Sequence, residues 1–150
     1  MSIEIGSRFS RWRARAAGSL IAFGALVPAY GETAADSIAL ELNDASANAK
    51  ACRLSFVIAN GQSAAIDDMA LELVLFDKDG RVDRFVVVRS GKVPAGKDRV
   101  RQFDIPETGC ADIGRVLLND VKECAGAGLT PPLCSDRIKA SSRTAIGFEN

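Results

Sequence analysis

The chain contains no histidine. Histidine is the side chain that serves most often as a general base and as a metal ligand, so Ser-His-Asp and Cys-His active sites are excluded. The chain also lacks an excess of positive charge, since its 19 basic residues balance 19 acidic ones. Nucleic-acid binding needs a strongly basic surface, and we therefore expect no nucleic-acid partner.

The chain also lacks an apolar run of the roughly 20 residues that a membrane-spanning helix needs. Its first apolar run, residues 16–28, follows a stretch with four arginines and precedes Ala29-Tyr30-Gly31. A basic region, a short apolar region and small residues at the cleavage site are the layout of a secretory signal peptide. We predict a signal peptide over residues 1–31, export to the periplasm or the extracellular space, and no membrane span in the mature chain.

The mature chain of 119 residues suits one domain with a substantial core. The leader carries four of the basic residues and one of the acidic ones, which leaves 15 basic and 18 acidic residues and a net charge of −3. The mature chain is therefore mildly acidic.

Six segments have the alternation or the β-branched and aromatic content that predicts β-strands. They are residues 38–42, 52–58, 71–76, 82–89, 99–105 and 113–121. Turn signals separate them, including residues 43–48, Asn60-Gly61 and residues 77–80. The pattern predicts an all-β fold over residues 32–124, a small antiparallel immunoglobulin-like β-sandwich of about six to seven strands.

The alternation also predicts the core and the end of the domain. The expected facing core residues are Leu54, Phe56, Ile58, Leu71, Leu73 and Leu75. Residues 125–150 contain two adjacent prolines and many small polar residues, and we predict an irregular C-terminal tail there.

All four cysteines, Cys52, Cys110, Cys124 and Cys134, lie in the mature chain. Their spacing contains no C-x₂-C knuckle, which argues against zinc, and exported proteins retain disulfides. If consecutive strands alternate in direction, Cys52 and Cys110 lie at the same end of the sandwich. We predict the pairs Cys52–Cys110 and Cys124–Cys134, the second pinning the tail, and no metal or cofactor.

A family resemblance rests on turn and core signals over roughly residues 38–120. These are the strand ending at Asn60, the strand ending in Phe76-Asp77, the D-x-x-G turn at residues 77–80, the P-x-G at residues 94–96, and Phe103. The mature chain resembles the FxLYD-type immunoglobulin-like domains of bacterial secreted proteins. The resemblance implies a β-sandwich accessory module outside the cytoplasm without catalytic residues. Phe76 stands where tyrosine is usual, and the segment from Cys110 onward is not part of the family's pattern.

Six basic residues lie on or beside the predicted fourth and fifth strands: Arg81, Arg84, Arg89, Lys97, Arg99 and Arg101. If these strands pair, the residues form one patch, a candidate site for an envelope protein or an anionic polymer. Interleaved aspartates would neutralise much of that charge, and edge strands also carry charge simply to prevent aggregation. Both interpretations remain open.

Residues 77–80 resemble the start of a calcium loop, but the spacing is too short and the terminal glutamate is missing. We therefore expect a hairpin turn there. No acid, base and nucleophile come together in the sequence, which predicts a non-catalytic exported module that binds or scaffolds in the cell envelope. The alternative is an enzyme or enzyme inhibitor acting on cell-wall material through carboxylates such as Glu72, Asp104 or Asp120, since two carboxylates suffice for glycoside hydrolysis.

We predict cleavage after Gly31, because small residues occupy the two positions that a signal peptidase reads. The mature chain should begin Glu32-Thr33, and the intact mass of the exported protein measures this directly. A mass that retains residues 1–31 would show that the leader remains as an N-terminal anchor.

Overall fold

The structure, a computed structural model, describes residues 36–150. The predicted signal peptide and its cleavage site lie outside the described residues. The strands and the helix are β1 (Ile38–Asn48), β2 (Ala51–Asn60), β3 (Asp68–Asp77), β4 (Val82–Arg89), β5 (Asp98–Pro106), β6 (Ile113–Ala125), α1 (Pro131–Arg137), β7 (Ile138–Ser142) and β8 (Gly147–Glu149). A single 3₁₀ turn, Cys110–Asp112, precedes β6.

The strands form two four-stranded sheets with the orders β5-β2-β1-β7 and β4-β3-β6-β8. Neighbouring strands are antiparallel except for β1 with β7 and β6 with β8, which are parallel. The predicted all-β sandwich is confirmed. We call the sheet β5-β2-β1-β7 the β2 sheet and the sheet β4-β3-β6-β8 the β3 sheet.

The core lies between the sheets and contains the predicted residues. Leu54, Phe56 and Ile58 of β2 and Leu71, Leu73 and Leu75 of β3 are all at most 2% exposed. Their alternation along each strand places them on one face, as the pleat of a strand requires. Phe56 lies 5.3 Å from Phe148 and 6.0 Å from Phe103, measured between ring centroids.

The turn predicted over residues 43–48 is wrong, because β1 continues to Asn48 and pairs with β2 along its length. The ladder shifts register between Leu42 and Asp44, which is the mark of a β-bulge. The extra residue at the bulge bends the strand, and the pairing continues beyond it. The chain instead reverses at Ala49-Lys50, where Ala49 has a positive φ of 52°.

The irregular tail predicted over residues 125–150 is also wrong, because this segment forms α1, β7 and β8. The two prolines occupy the first turn of α1, where a missing N–H costs nothing, and Thr130 caps the helix by accepting a hydrogen bond from the Leu133 amide. β7 and β8 have five and three residues, too few for a clear period-two pattern. Ile138, Ile146 and Phe148 are nevertheless buried.

Two disulfides join Cys52 to Cys110 and Cys124 to Cys134, the pairing that the sequence predicts. The first links β2 to the 3₁₀ turn that enters β6. The second links the end of β6 to α1, which leads into β7. Among residues 36–150 no helix is long and apolar enough to cross a membrane.

We predict that losing the first disulfide costs more stability than losing the second. The sequence separations are 58 and 10 residues, and chain entropy gives about 4 and about 3 kcal/mol respectively. Chemical denaturation of the Cys52→Ala/Cys110→Ala and Cys124→Ala/Cys134→Ala variants measures the difference. The second pair is the control for the first, and equal losses would contradict the loop argument.

We also predict that Leu73→Ala lowers the free energy of unfolding by about 2–5 kcal/mol, because Leu73 is 1% exposed in the core. The control is Val100→Ala, an exposed position on β5, which should change stability by less than about 0.5 kcal/mol. Urea titrations of both variants provide the comparison. An unchanged midpoint for Leu73→Ala would refute the inner-face assignment.

Candidate partner-binding surface

β4 and β5 do not pair. The single basic patch predicted from the sequence required these two strands to pair. They are the outer strands of different sheets on the same side of the sandwich. Two arginines connect them: Arg84 donates to the Pro106 carbonyl at 2.9 Å, and Arg101 donates to the Ser90 carbonyl. These side chains close the seam between the sheets, so both have a structural role.

The other four basic residues of the predicted patch occupy separate positions. Arg89 lies on the outer face of the β3 sheet and pairs with Glu123 and Asp68, whose carboxylates raise the pKa of its guanidinium. Arg99 donates to the Asp98 carbonyl beside it. Arg81 and Lys97 are exposed near the strand ends. The six cations therefore do not share one face, and their partner-binding role stays a prediction.

Exposed apolar side chains occur on both of these outer strands, β4 and β5. Within residues 36–150 the exposed large hydrophobic side chains are Val82, Phe85 and Val87 of β4 and Val100 of β5, each 54–60% exposed. The sequence signal for this surface is VDRFVVVR, which places apolar residues on both faces of β4. The sequence did not predict that an edge strand would have an apolar outer face.

Phe85 and Val87 continue into an apolar area on the outer face of the β3 sheet. Phe85 lies opposite Val74 of β3, which in turn lies opposite Leu117 of β6. Val74 is 3% exposed although it faces outward, and Leu117 is half-buried. We call Val74, Phe85, Val87 and Leu117 the outer apolar patch.

Ion pairs within the chain surround the outer apolar patch. Lys122 lies between Glu72 and Asp120, and Arg115 pairs with Glu149 while its guanidinium carbon lies 3.6 Å from the centre of the Phe76 ring. Arg89, which pairs with Asp68 and Glu123, is the third ion-paired cation beside the patch. An apolar centre with a polar rim is the usual anatomy of a protein–protein interface.

The carboxylates named for the enzymatic alternative are divided between the two sheets, and each is paired with a basic side chain of the chain. Glu72 and Asp120 share one ammonium, at 3.2 Å and 2.9 Å from Lys122 Nζ, on the outer face of the β3 sheet. Asp104 belongs to β5 in the other sheet, and its Oδ1 atom lies 2.7 Å from Arg53 Nε. Hydrogen bonds from Lys122 lower the pKa of Asp120, and those from Arg53 lower the pKa of Asp104. A general acid needs a raised pKa, and both of these shifts are in the opposite direction.

A pocket of about 140 Å³ lies at the end of the sandwich beside the turn at residues 77–80. Its lining includes Arg84 and the acidic residues Asp77, Asp83, Glu107 and Asp112. Asp77 Oδ1 accepts hydrogen bonds from the amides of Asp79 and Arg81, which makes the segment a closed turn, as expected. In the described part of the chain, no group of three or more His, Cys, Asp or Glu residues could hold a metal ion.

Comparisons with known proteins give no relative. No protein-family model matches the chain, and neither the curated proteins nor the solved structures contain a match.

Proposed function

We propose that this chain is a non-catalytic, exported β-sandwich module that binds another protein of the cell envelope through the outer apolar patch. The observation that carries the proposal is the pair of exposed large hydrophobic side chains on the outer face of β4, Phe85 and Val87, which are 60% and 57% exposed. Monomeric soluble proteins seldom keep contiguous apolar surface without a use for it. Phe85 is the natural anchor, since aromatic residues dominate the energetics of protein interfaces.

The rim of the patch favours a protein over an anionic polymer as the partner. A polymer would be held by unpaired cations, whereas Arg89 and Lys122 are each shared between two carboxylates. Ion pairs made within the chain leave little net positive charge to attract a polyanion. The anionic polymer is therefore the second candidate, supported by the exposed Arg81, Lys97 and Arg99.

Export is part of the proposal and has two supports. The first is the layout of residues 1–31, which is that of a signal peptide. The second is the presence of two disulfides, which persist in oxidising compartments such as the periplasm and the extracellular space. We propose also that the chain is related to the FxLYD-type domains that it resembles.

The test is site-specific crosslinking in intact cells that express the full chain. A photoreactive amino acid replaces Phe85, and in the control it replaces Lys139, an exposed residue of β7 at the opposite edge of the sandwich. We expect ultraviolet light to give an adduct with another envelope protein at position 85 and none at position 139, identified by mass spectrometry.

Adducts with carbohydrate at position 85 would favour the anionic polymer. Equal labelling of one protein from both positions, or no adduct of any kind from position 85, would refute binding through the outer apolar patch.

A further inference from the structure

The ion pairs beside the outer apolar patch contain more carboxylates than cations. Five carboxylates contact three cations on the outer face of the β3 sheet. The cations are Arg89, Arg115 and Lys122, and the carboxylates are Asp68, Glu72, Asp120, Glu123 and Glu149. Because Arg89 and Lys122 are each shared between two carboxylates, this face has an excess of two negative charges.

The charges that border this face cancel one another. The turn at residues 77–81, which follows β3, has two acidic and two basic residues. Before β3, Lys92 pairs with Asp67. On β4, Asp83 pairs with Arg84. The excess of negative charge therefore belongs to the face itself and is not neutralised by its surroundings.

The excess persists at neutral pH and is accessible to solvent. Hydrogen bonds from Lys122 lower the pKa of Asp120, and those to Asp120 and Glu72 raise the pKa of Lys122, so both partners keep their charges. The side chains of Asp120, Glu123 and Glu149 are each more than half exposed. Exposed charges of one sign produce a field that acts on an approaching molecule before contact is made.

The exposed carboxylates lie to one side of the apolar anchor. Phe85 is on β4, whereas Glu123 is on β6 and Glu149 is on β8. In the order β4-β3-β6-β8, β6 is two strand spacings from β4, which is about 10 Å. A protein interface of standard size, about 800 Å² on each partner, covers both strands. A partner seated on Phe85 therefore also faces the acidic strands.

The sign of the excess charge distinguishes between the possible occupants of this face. A second copy docked face to face would bring the same acidic surface against it, and an anionic polymer or an anionic lipid headgroup would also be repelled. A basic protein surface would be attracted. We propose that the partner is a protein with a net positive contact surface, apolar over Phe85 and basic over β6 and β8. The inference rests on the proposed function and adds the charge of the partner.

The excess charge acts mainly on the rate of association. Each of these carboxylates already contacts a cation of the chain, so the partner does not have to replace a missing counter-charge. Complementary potentials steer two proteins towards each other and raise the association rate constant, while apolar burial provides most of the affinity. Salt screens such fields, so the association rate constant should fall as salt is added.

The experiment uses the protein that is captured by photocrosslinking at position 85 and identified by mass spectrometry. Stopped-flow fluorescence measures its association with the chain, purified after expression of the full sequence, at low and at high sodium chloride. At low salt, Glu123→Gln combined with Glu149→Gln should lower the association rate constant roughly threefold, with little change in the dissociation rate constant.

The matched control removes the same number of carboxylates from ion pairs of the β2 sheet. Glu41→Gln combined with Asp104→Asn takes one carboxylate from Arg143 and one from Arg53. The total charge of this control equals that of the test variant, but its changes lie away from the outer apolar patch. The control should therefore leave the association rate constant close to that of the unmodified protein.

Lys122→Gln tests the sign of the effect. It removes a cation from the face and increases the excess of negative charge, so it should raise the association rate constant roughly twofold at low salt. If the ion pairs acted only by supporting the fold, Lys122→Gln would lower the rate constant as the glutamate variants do. Circular dichroism checks the folding of each variant, and if the double glutamate variant does not fold, Asp120→Asn replaces it.

An association rate constant that responds neither to salt nor to these variants would overturn the basic partner. The proposed function would still stand, because capture at position 85 would have occurred. A captured protein that is a second copy, or whose crosslinked surface has a net negative charge, would also overturn the inference. Capture of no protein at position 85 would refute the proposed function and the inference with it.

Discussion

The two disulfides hold both ends of β6, and the arrangement of the sandwich depends on this. Cys110 lies just before β6, and Cys124 is its second-last residue. Their partners lie in β2 of the opposite sheet and in α1, which leads into β7 of that sheet. Each bridge therefore ties an interior strand of one sheet to the other sheet. Opening of the sandwich at either end is opposed by a covalent bond, and the apolar core between the sheets is held closed from both ends.

The two sides of the sandwich are closed in different ways, and the proposed binding surface lies on only one of them. On one side the C-terminal strands β7 and β8 complete the sheets, and they contribute Ile138, Ile146 and Phe148 to the core. On the other side residues 36–150 add no strand, and Arg84 and Arg101 bridge β4 and β5 through backbone carbonyls. The exposed apolar residues lie on these two strands, where none of the described residues covers them.

Local patterns in the sequence predicted most of the fold, because strands with one buried face carry their own period-two signal. β4 has the predicted boundaries, and the disulfide pairing follows from alternating strand direction. The failures depend on contacts distant in sequence. Ile138 and Phe148 are buried by β1 and β2 partners far along the chain, and their strands are too short for a period to be visible. The outer apolar patch was missed because an apolar run indicates burial, and the sequence does not show which strand lies at an edge.

The basic residues at the candidate site also depend on contacts that the sequence does not show. The six cations near β4 and β5 suggested attraction of a polyanion, but contacts within the chain divide them into seam-closing, ion-paired and exposed residues. Because the rim charges already have counter-charges, a partner need not supply them, and the free energy of binding can come chiefly from burial of Phe85 and Val87. Apolar burial gives affinity without direction. The two charged side chains towards either end of β4 are already engaged within the chain, Asp83 by Arg84 and Arg89 by Asp68 and Glu123. The affinity of the proposed interface therefore arises from the apolar residues of the edge strand, and its charged residues serve the fold of the chain itself.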